Sequence, residues 1–123
     1  HTLEEGEIVT AIHIKKQAAN VRTAYAESRE KESFDWATTA CAVRLAMDGN
    51  KIAAADLVLG AVAPVPMPRP QAAAMLVGKE PSKRLFLRVA DMAFQGAAPL
   101  AHNAFKLPIG KAVVRDALEQ ATR

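Results

Sequence analysis

A chain of 123 residues, 50% hydrophobic and 24% charged, suits one domain whose core hides roughly two-thirds of the unfolded surface. The absence of any low-complexity tract excludes intrinsic disorder. A net charge of +3 from 16 basic and 13 acidic residues spread along the chain is too thin an excess to imply nucleic acid.

Cys41 is the only cysteine, which excludes an intramolecular disulfide and any cysteine-held zinc or iron–sulfur site within the chain. Neither a spanning apolar run nor a basic-then-apolar leader is present, so no membrane partner and a cytoplasmic location are expected. The first residue is His1 rather than Met, so a missing upstream part is expected.

Taken in chain order, Ile8, Thr10, Ile12 and Ile14 alternate with Val9, Ala11 and His13, which predicts a first strand at Ile8–Ile14 with one buried face. After a polar KKQAAN connection, Val21, Thr23 and Tyr25 alternate with Arg22, Ala24 and Ala26, predicting a second strand over Val21–Glu27. Thr39, Cys41, Val43, Leu45 and Met47 line one face of a third run, which ends at Asp48-Gly49-Asn50, a turn that can use glycine at positive φ. The return strand runs from Lys51 to about Ala63, where the run from Pro64 to Pro70 stops it because proline cannot donate to a ladder.

The second half reads as helical. Pro70 opens a short helix through QAAAMLV, ended by Gly78 in the left-handed region. Ser82 caps the next helix, Lys83–Gln95, where Leu85, Phe86, Val89, Ala90, Met92 and Ala93 fall at helical spacing and Gly96 and Pro99 close the segment. The last helix ends near Ala121, with Val113, Val114, Ala117 and Leu118 as its buried stripe and Lys111, Arg115 and Glu119 as an exposed charged row. Two starts are open for it: an Asn103 cap with a kink, since Pro108 breaks the bond back to Ala104, or Pro108 itself. The fold class is therefore α+β in two layers, a small antiparallel sheet of four N-terminal strands covered by C-terminal helices, over a single domain spanning residues 1–123.

No Gly-rich phosphate loop is present: Gly60 stands alone, Gly49 is a turn, and Gly78, Gly96 and Gly110 are isolated, so the chain does not cradle a dinucleotide by itself. The three histidines are far apart and lack metal-ligand spacing. The densest polar cluster is Glu27-Ser28-Arg29-Glu30-Lys31-Glu32-Ser33, followed by Phe34-Asp35-Trp36 with the only tryptophan. It reads either as a solvated charged turn with Phe34 and Trp36 tucked under the sheet edge, or as a loop facing a cofactor or partner. Glu32 and Asp35 invite an acid/base reading, but no nucleophile or histidine lies near them in sequence, and no catalytic residue is assigned. Arg44, among Ala40, Ala42 and Ala46, reads as an exposed strand arginine whose stem covers the sheet; Lys106 reads first as a surface lysine, and Met67, Met75 and Met92 as core.

In order, GEIVTAIHI, AYAESREKESFDWATTACAVRL, DGNKIAAADLVLGAVAPVP, LVGK and PLAHNAFKLPIGKAVVRDAL resemble the C-terminal domain of molybdenum-hydroxylase flavoprotein subunits. These are the medium, FAD-binding subunits of the carbon monoxide dehydrogenase and xanthine dehydrogenase family. The resemblance covers nearly the whole chain, with the SR…SFDWA, LGAVAPVP and HNAFK segments in order. It implies a small antiparallel sheet covered by helices, and an accessory role in an oxidoreductase. In such enzymes a molybdopterin subunit hydroxylates the substrate, a [2Fe-2S] subunit carries electrons to FAD, and the flavin passes them to NAD or another acceptor.

The resemblance further implies that most FAD contacts come from a preceding domain, so this chain alone is expected to hold no flavin and not to be a self-contained enzyme. It places the loop after the second strand beside the flavin, making Tyr25, Glu27, Arg29, Asp35 and Trp36 the cofactor-facing candidates. Many members carry a lysine two residues after that aromatic, where this chain has Glu27. The implied partners are the upstream FAD-binding domain, the molybdopterin subunit and the [2Fe-2S] subunit. The second reading is a free-standing interaction or dimerisation module, a homo-oligomer of the same fold without a redox role.

Overall fold

A computed structural model describes residues 2–32 and 34–123; His1 and Ser33 lie outside the described residues. Three strands form one antiparallel meander: β1 (Val21–Ser28), β2 (Thr39–Asp48) and β3 (Lys51–Gly60), with the two-residue β4 (Met67–Pro68) at the far edge. Helix α1 (Pro70–Ala74) sits against β3, α2 (Lys83–Ala93) packs on α3, and α3 (Lys106–Ala121) lies across β1 and β2. This is the expected α+β architecture of four antiparallel strands followed by helices.

Alternation in β2 decides which side is covered. Cys41, Val43 and Leu45 are buried on one face, while Ala42 is exposed and Arg44 half-buried on the other. The buried face meets Phe86, Val89, Val114 and Leu118 from the two longer helices. The turn after β2 uses Gly49 at φ 57°, a conformation that costs glycine little.

In β3 the alternation changes phase, because Ile52 is buried at an even position whereas Leu57 and Leu59 are buried at odd ones. A bulge resolves the conflict: the register pairs Ala46 with Ala54 but Met47 with Ile52, leaving Ala53 as the extra residue. An extra residue in one strand turns the following side chains to the other face, so both sets reach the same core. The open edge of β3 at Ile52 is closed by the chain after α1, with Ile52 N–H donating to the Lys79 carbonyl at 2.9 Å and Gly78 N–H to the Ile52 carbonyl at 2.7 Å.

Five expectations need correction. The strand expected at Ile8–Ile14 does not form: this arm is irregular, and Ile8, Ile12 and Ile14 are 80%, 82% and 84% exposed. The alternation is present but no sheet edge reaches it, since Asn20 is clamped to Met47 through two hydrogen bonds of 2.9 and 2.8 Å. The fourth strand is instead Met67–Pro68, inside the proline run, paired with Val58 and Leu59; on an edge strand a missing proline N–H is tolerated. Strand β3 correspondingly ends at Gly60 rather than near Ala63, where the chain turns at Ala61 with φ 58°.

Helix α3 begins at Lys106, between the two expected starts, so that Pro108 falls in its first turn, where a missing N–H breaks no ladder. Asn103 works one turn earlier, its side-chain oxygen accepting from Leu100 N–H at 2.7 Å. The row Lys111, Arg115 and Glu119 is half-buried rather than exposed, because α2 lies beside it and Asp91 takes the Lys111 ammonium at 2.8 Å. Ser82 caps α2 as expected, accepting from Leu85 N–H at 3.3 Å.

The arm and the sheet should respond differently to truncation. Ile52→Ala empties a fully buried site and should cost about 2–5 kcal/mol, whereas Ile12→Ala, in the exposed arm, should stay within about 0.5 kcal/mol of the parent. Urea unfolding of the two variants checks both.

Candidate functional site

The loop between β1 and β2 stands at the end of the sheet, its base closed by Thr38 N–H donating to the Ser28 carbonyl at 2.7 Å. Within it the Asp35 carboxylate accepts the Trp36 N–H at 2.9 Å. Phe34 is fully exposed and Trp36 is 91% exposed, so these aromatics are not tucked under the sheet edge. That outcome removes the solvated-turn reading as it was framed and leaves two large apolar surfaces in water beside a charged run.

Tyr25 and Glu27 point to the open face of the sheet, opposite Ala42 and Ala40 of β2. These small neighbours leave room for the Tyr25 ring, which is 58% exposed. Tyr25 Oη donates to Glu27 Oε2 at 2.8 Å, and Arg29 Nε donates to Glu27 Oε1 at 3.0 Å. Each carboxylate oxygen of Glu27 thus has its own donor. Donation to the Glu27 carboxylate, helped by partial burial and by the negative charge of Glu27, raises the Tyr25 phenol above its ordinary pKa of 10.0, with the Arg29 charge opposing.

Of the five cofactor-facing candidates, the structure gathers Tyr25, Glu27 and Arg29 into one network and sets Asp35 and Trp36 on the adjoining loop. Sequence reasoning missed the network itself; the i, i+2 spacing of Tyr25 and Glu27 on one strand face was its available signal. Further along the open face, Arg44 donates to Asp56 at 3.0 Å and to the Gln17 side chain at 3.1 Å, which fixes the root of the N-terminal arm over this face.

A separate recess of about 490 Å³ lies between the end of β3, β4 and the loop after α2, lined by Arg69, Phe94, Asn103 and Lys106 among others. Its two cations serve the fold: Lys106 Nζ donates to the Ala61 carbonyl at 3.2 Å and Arg69 Nη2 to the Gln95 carbonyl at 2.9 Å. Cys41 is fully buried, and burial pushes its thiol up to about 12, which makes it unreactive. Among the described residues no cluster of His, Cys, Asp and Glu suits a metal ion, and no helix is long and apolar enough to cross a membrane.

The sheet with its helices on one face, and the loop at its end, match a known domain. The family model of the CO dehydrogenase flavoprotein C-terminal domain covers residues 23–121, and the chain belongs to that family. The medium chain of carbon monoxide dehydrogenase from Hydrogenophaga pseudoflava is 32% identical over 97 residues, covering 79% of this chain and 33% of that protein. Among solved structures, carbon monoxide dehydrogenase from Hydrogenophaga pseudoflava, in a form lacking the Mo-pyranopterin moiety of its molybdenum cofactor, superposes with a TM-score of 0.77 at 29% identity, covering 85% of this chain and 38% of that one. Reconstituted CO dehydrogenase from Oligotropha carboxidovorans gives a TM-score of 0.77 at 27% identity, with 86% and 38% covered. The chain therefore spans about a third of the length of the curated relative it matches.

Tyr25 is the only tyrosine, so phenolate absorbance isolates its titration. The parent should titrate above 10.0, and Glu27→Gln, which removes the anionic acceptor, should move the midpoint down toward the ordinary value. The sign for stability follows: a raised phenol pKa contributes stability that is present below the unfolded value and lost as pH rises through the folded one. An unchanged midpoint in Glu27→Gln would show that the hydrogen bond does not form in solution.

Proposed function

We propose that this chain serves as the C-terminal part of the FAD-binding medium subunit of a molybdopterin-dependent hydroxylase, working with a flavin-binding portion, a molybdopterin subunit and a [2Fe-2S] subunit. The observation that carries this reading is the match across residues 23–121 to the flavoprotein C-terminal domain. The loop from Tyr25 to Trp36 is then the surface offered to the flavin.

The residues fit part of FAD and not all of it. Gly60, Gly78 and Gly96 stand singly at the ends of different elements, so this chain offers no glycine-rich cradle for a pyrophosphate, which falls to the flavin-binding portion. Flat apolar surfaces at Phe34 and Trp36, both exposed, suit the face of an isoalloxazine ring. Asp35 borders that surface, accepting the Trp36 N–H at 2.9 Å. Bound flavin would accept electrons arriving from the iron–sulfur centres and pass them to the acceptor.

Glu27 stands where a positive charge is common in this family, yet it does not present a bare negative charge to the cofactor. Arg29 neutralises it at 3.0 Å and Tyr25 occupies its other oxygen. In this role Tyr25, Glu27 and Arg29 form a neutral wall, and Trp36 and Phe34 supply contact area.

The test supplies the flavin-binding portion in cis or in trans and follows FAD retention by its visible absorbance, with and without this chain. FAD loss should slow when the chain is present, and Phe34→Ala combined with Trp36→Ala should give back about tenfold or more of that gain. Equal retention with and without the chain would rule out the accessory role.

A further inference from the structure

The recess at the end of β3 is lined by basic and amide groups and by no acid. Its polar side chains are Arg69, Gln95, Asn103 and Lys106, and none of the chain's 13 acidic residues lines it. Arg69 and Lys106 are both half-buried. Among the described residues neither has a carboxylate within ion-pair distance, the pairs being Arg29 with Glu27, Arg44 with Asp56 and Lys111 with Asp91. Cations partly withdrawn from water without a counter-charge gain from an anion that supplies one.

Both cations are anchored and both keep donors to spare. Lys106 Nζ donates to the Ala61 carbonyl at 3.2 Å, while Arg69 donates through Nη2 to the Gln95 carbonyl at 2.9 Å and through Nη1 to Met67 Sδ at 3.8 Å. An ammonium and a guanidinium carry more N–H groups than these bonds use, so each cation has further hydrogens without a partner among the described residues. The anchors tie the two side chains to different walls, Ala61 in the turn after β3 and Gln95 in the loop after α2. Their positions are therefore set before any ligand arrives, which lowers the ordering cost of binding.

The rest of the lining is apolar and firm. Leu59 is 2% exposed, Met67 and Phe94 pack against the core, and Phe94 closes on Gly110, where a Cβ would collide with its ring. A recess of about 490 Å³ with an apolar lining and a few polar groups has the make-up of a small-molecule site. We propose that it binds a small organic acid, the anionic head taken up by the Lys106 and Arg69 donors and the apolar body set against Leu59, Met67 and Phe94. A bare inorganic anion would leave the apolar wall unused, and a neutral ligand would leave the cations unmatched. The inference stands on this chain's own residues and does not rest on the flavoprotein reading.

The test titrates the full 123-residue chain with benzoate, phenyl phosphate and benzamide, following backbone amide chemical shifts. The two acids should give saturable shifts confined to residues 61–63, 94–98 and the start of α3, and the tighter of them identifies the preferred head as carboxylate or phosphate. Benzamide, with the same ring and no charge, should bind about tenfold or more weaker than benzoate. Lys106→Met should weaken benzoate by about tenfold or more, but it also releases the Ala61 carbonyl. Ala98→Glu, at an exposed lining position, sets a carboxylate on the rim and leaves both anchors in place; it should weaken benzoate similarly at an unchanged melting temperature. Shifts that do not saturate, shifts spread over exposed lysines and arginines elsewhere, or equal binding of benzamide and benzoate would each overturn the proposal. So would binding indifferent to both substitutions. Binding present in the isolated chain and lost in a flavin-containing assembly would also overturn it, and would assign the recess to a contact with the rest of a larger protein.

Discussion

Everything in this molecule depends on one sheet being sealed on one side only. Leu45, Ile52, Leu57 and Leu59 enter the core from the strands, Leu76 from the chain after α1, and Val89, Val114 and Leu118 from the helices, all with 2% exposure or less. Full burial of each such side chain contributes about 1.5–3 kcal/mol, so a slip of one residue in any strand would turn several of them into water. The bulge at Ala53 is the local cost of keeping that set intact. Without it, either Ile52 or the pair Leu57 and Leu59 would face away from the helices.

The other face is composed differently because, among the described residues, no helix covers it and only the root of the arm at Gln17 reaches it. Thr23, Ala42, Ala46 and Ala54 keep it shallow, and its charges are paired among themselves, Arg44 with Asp56 and Arg29 with Glu27. Exposed pairs of this kind add little stability. Their effect is to leave a nearly neutral surface, from which the aromatic loop projects at one end and the arm departs at the other.

Much of this was legible in the sequence wherever the signal was local and its partner was near. Strands β1 and β2 and the turn at Gly49 were found because each side-chain alternation is answered by the next segment of chain. The Ser82 cap and the stripe of α2 were found because helical spacing needs no distant partner. The same alternation misled at Ile8–Ile14, since a strand also needs an edge to pair with, and the clamp at Asn20 denies it the one available. The half-burial of Lys111, Arg115 and Glu119 depended on where α2 came to rest, and the exposure of Phe34 and Trp36 on nothing being there to cover them. Neither is written in a local pattern. Lys106 shows the reverse case: an apparently free surface lysine holds the carbonyl of Ala61, whose φ of 58° is unusual for a residue other than glycine.

The departures from local rules therefore divide into two kinds. Some are compensated inside the chain: the phase change in β3 by a bulge, the proline run by its edge position, Ala61 by Lys106. Others have no internal compensation, namely the bare backbone of the arm and the bare aromatics of the loop. A soluble chain that stood alone would gain by replacing Ile8, Ile12, Ile14, Phe34 and Trp36 with polar residues, because burial of these side chains contributes nothing to its own core. Ile8, Ile12 and Ile14 precede β1 at one end of the sheet and Phe34 and Trp36 follow it at the other, and among the described residues no helix of the chain covers either set.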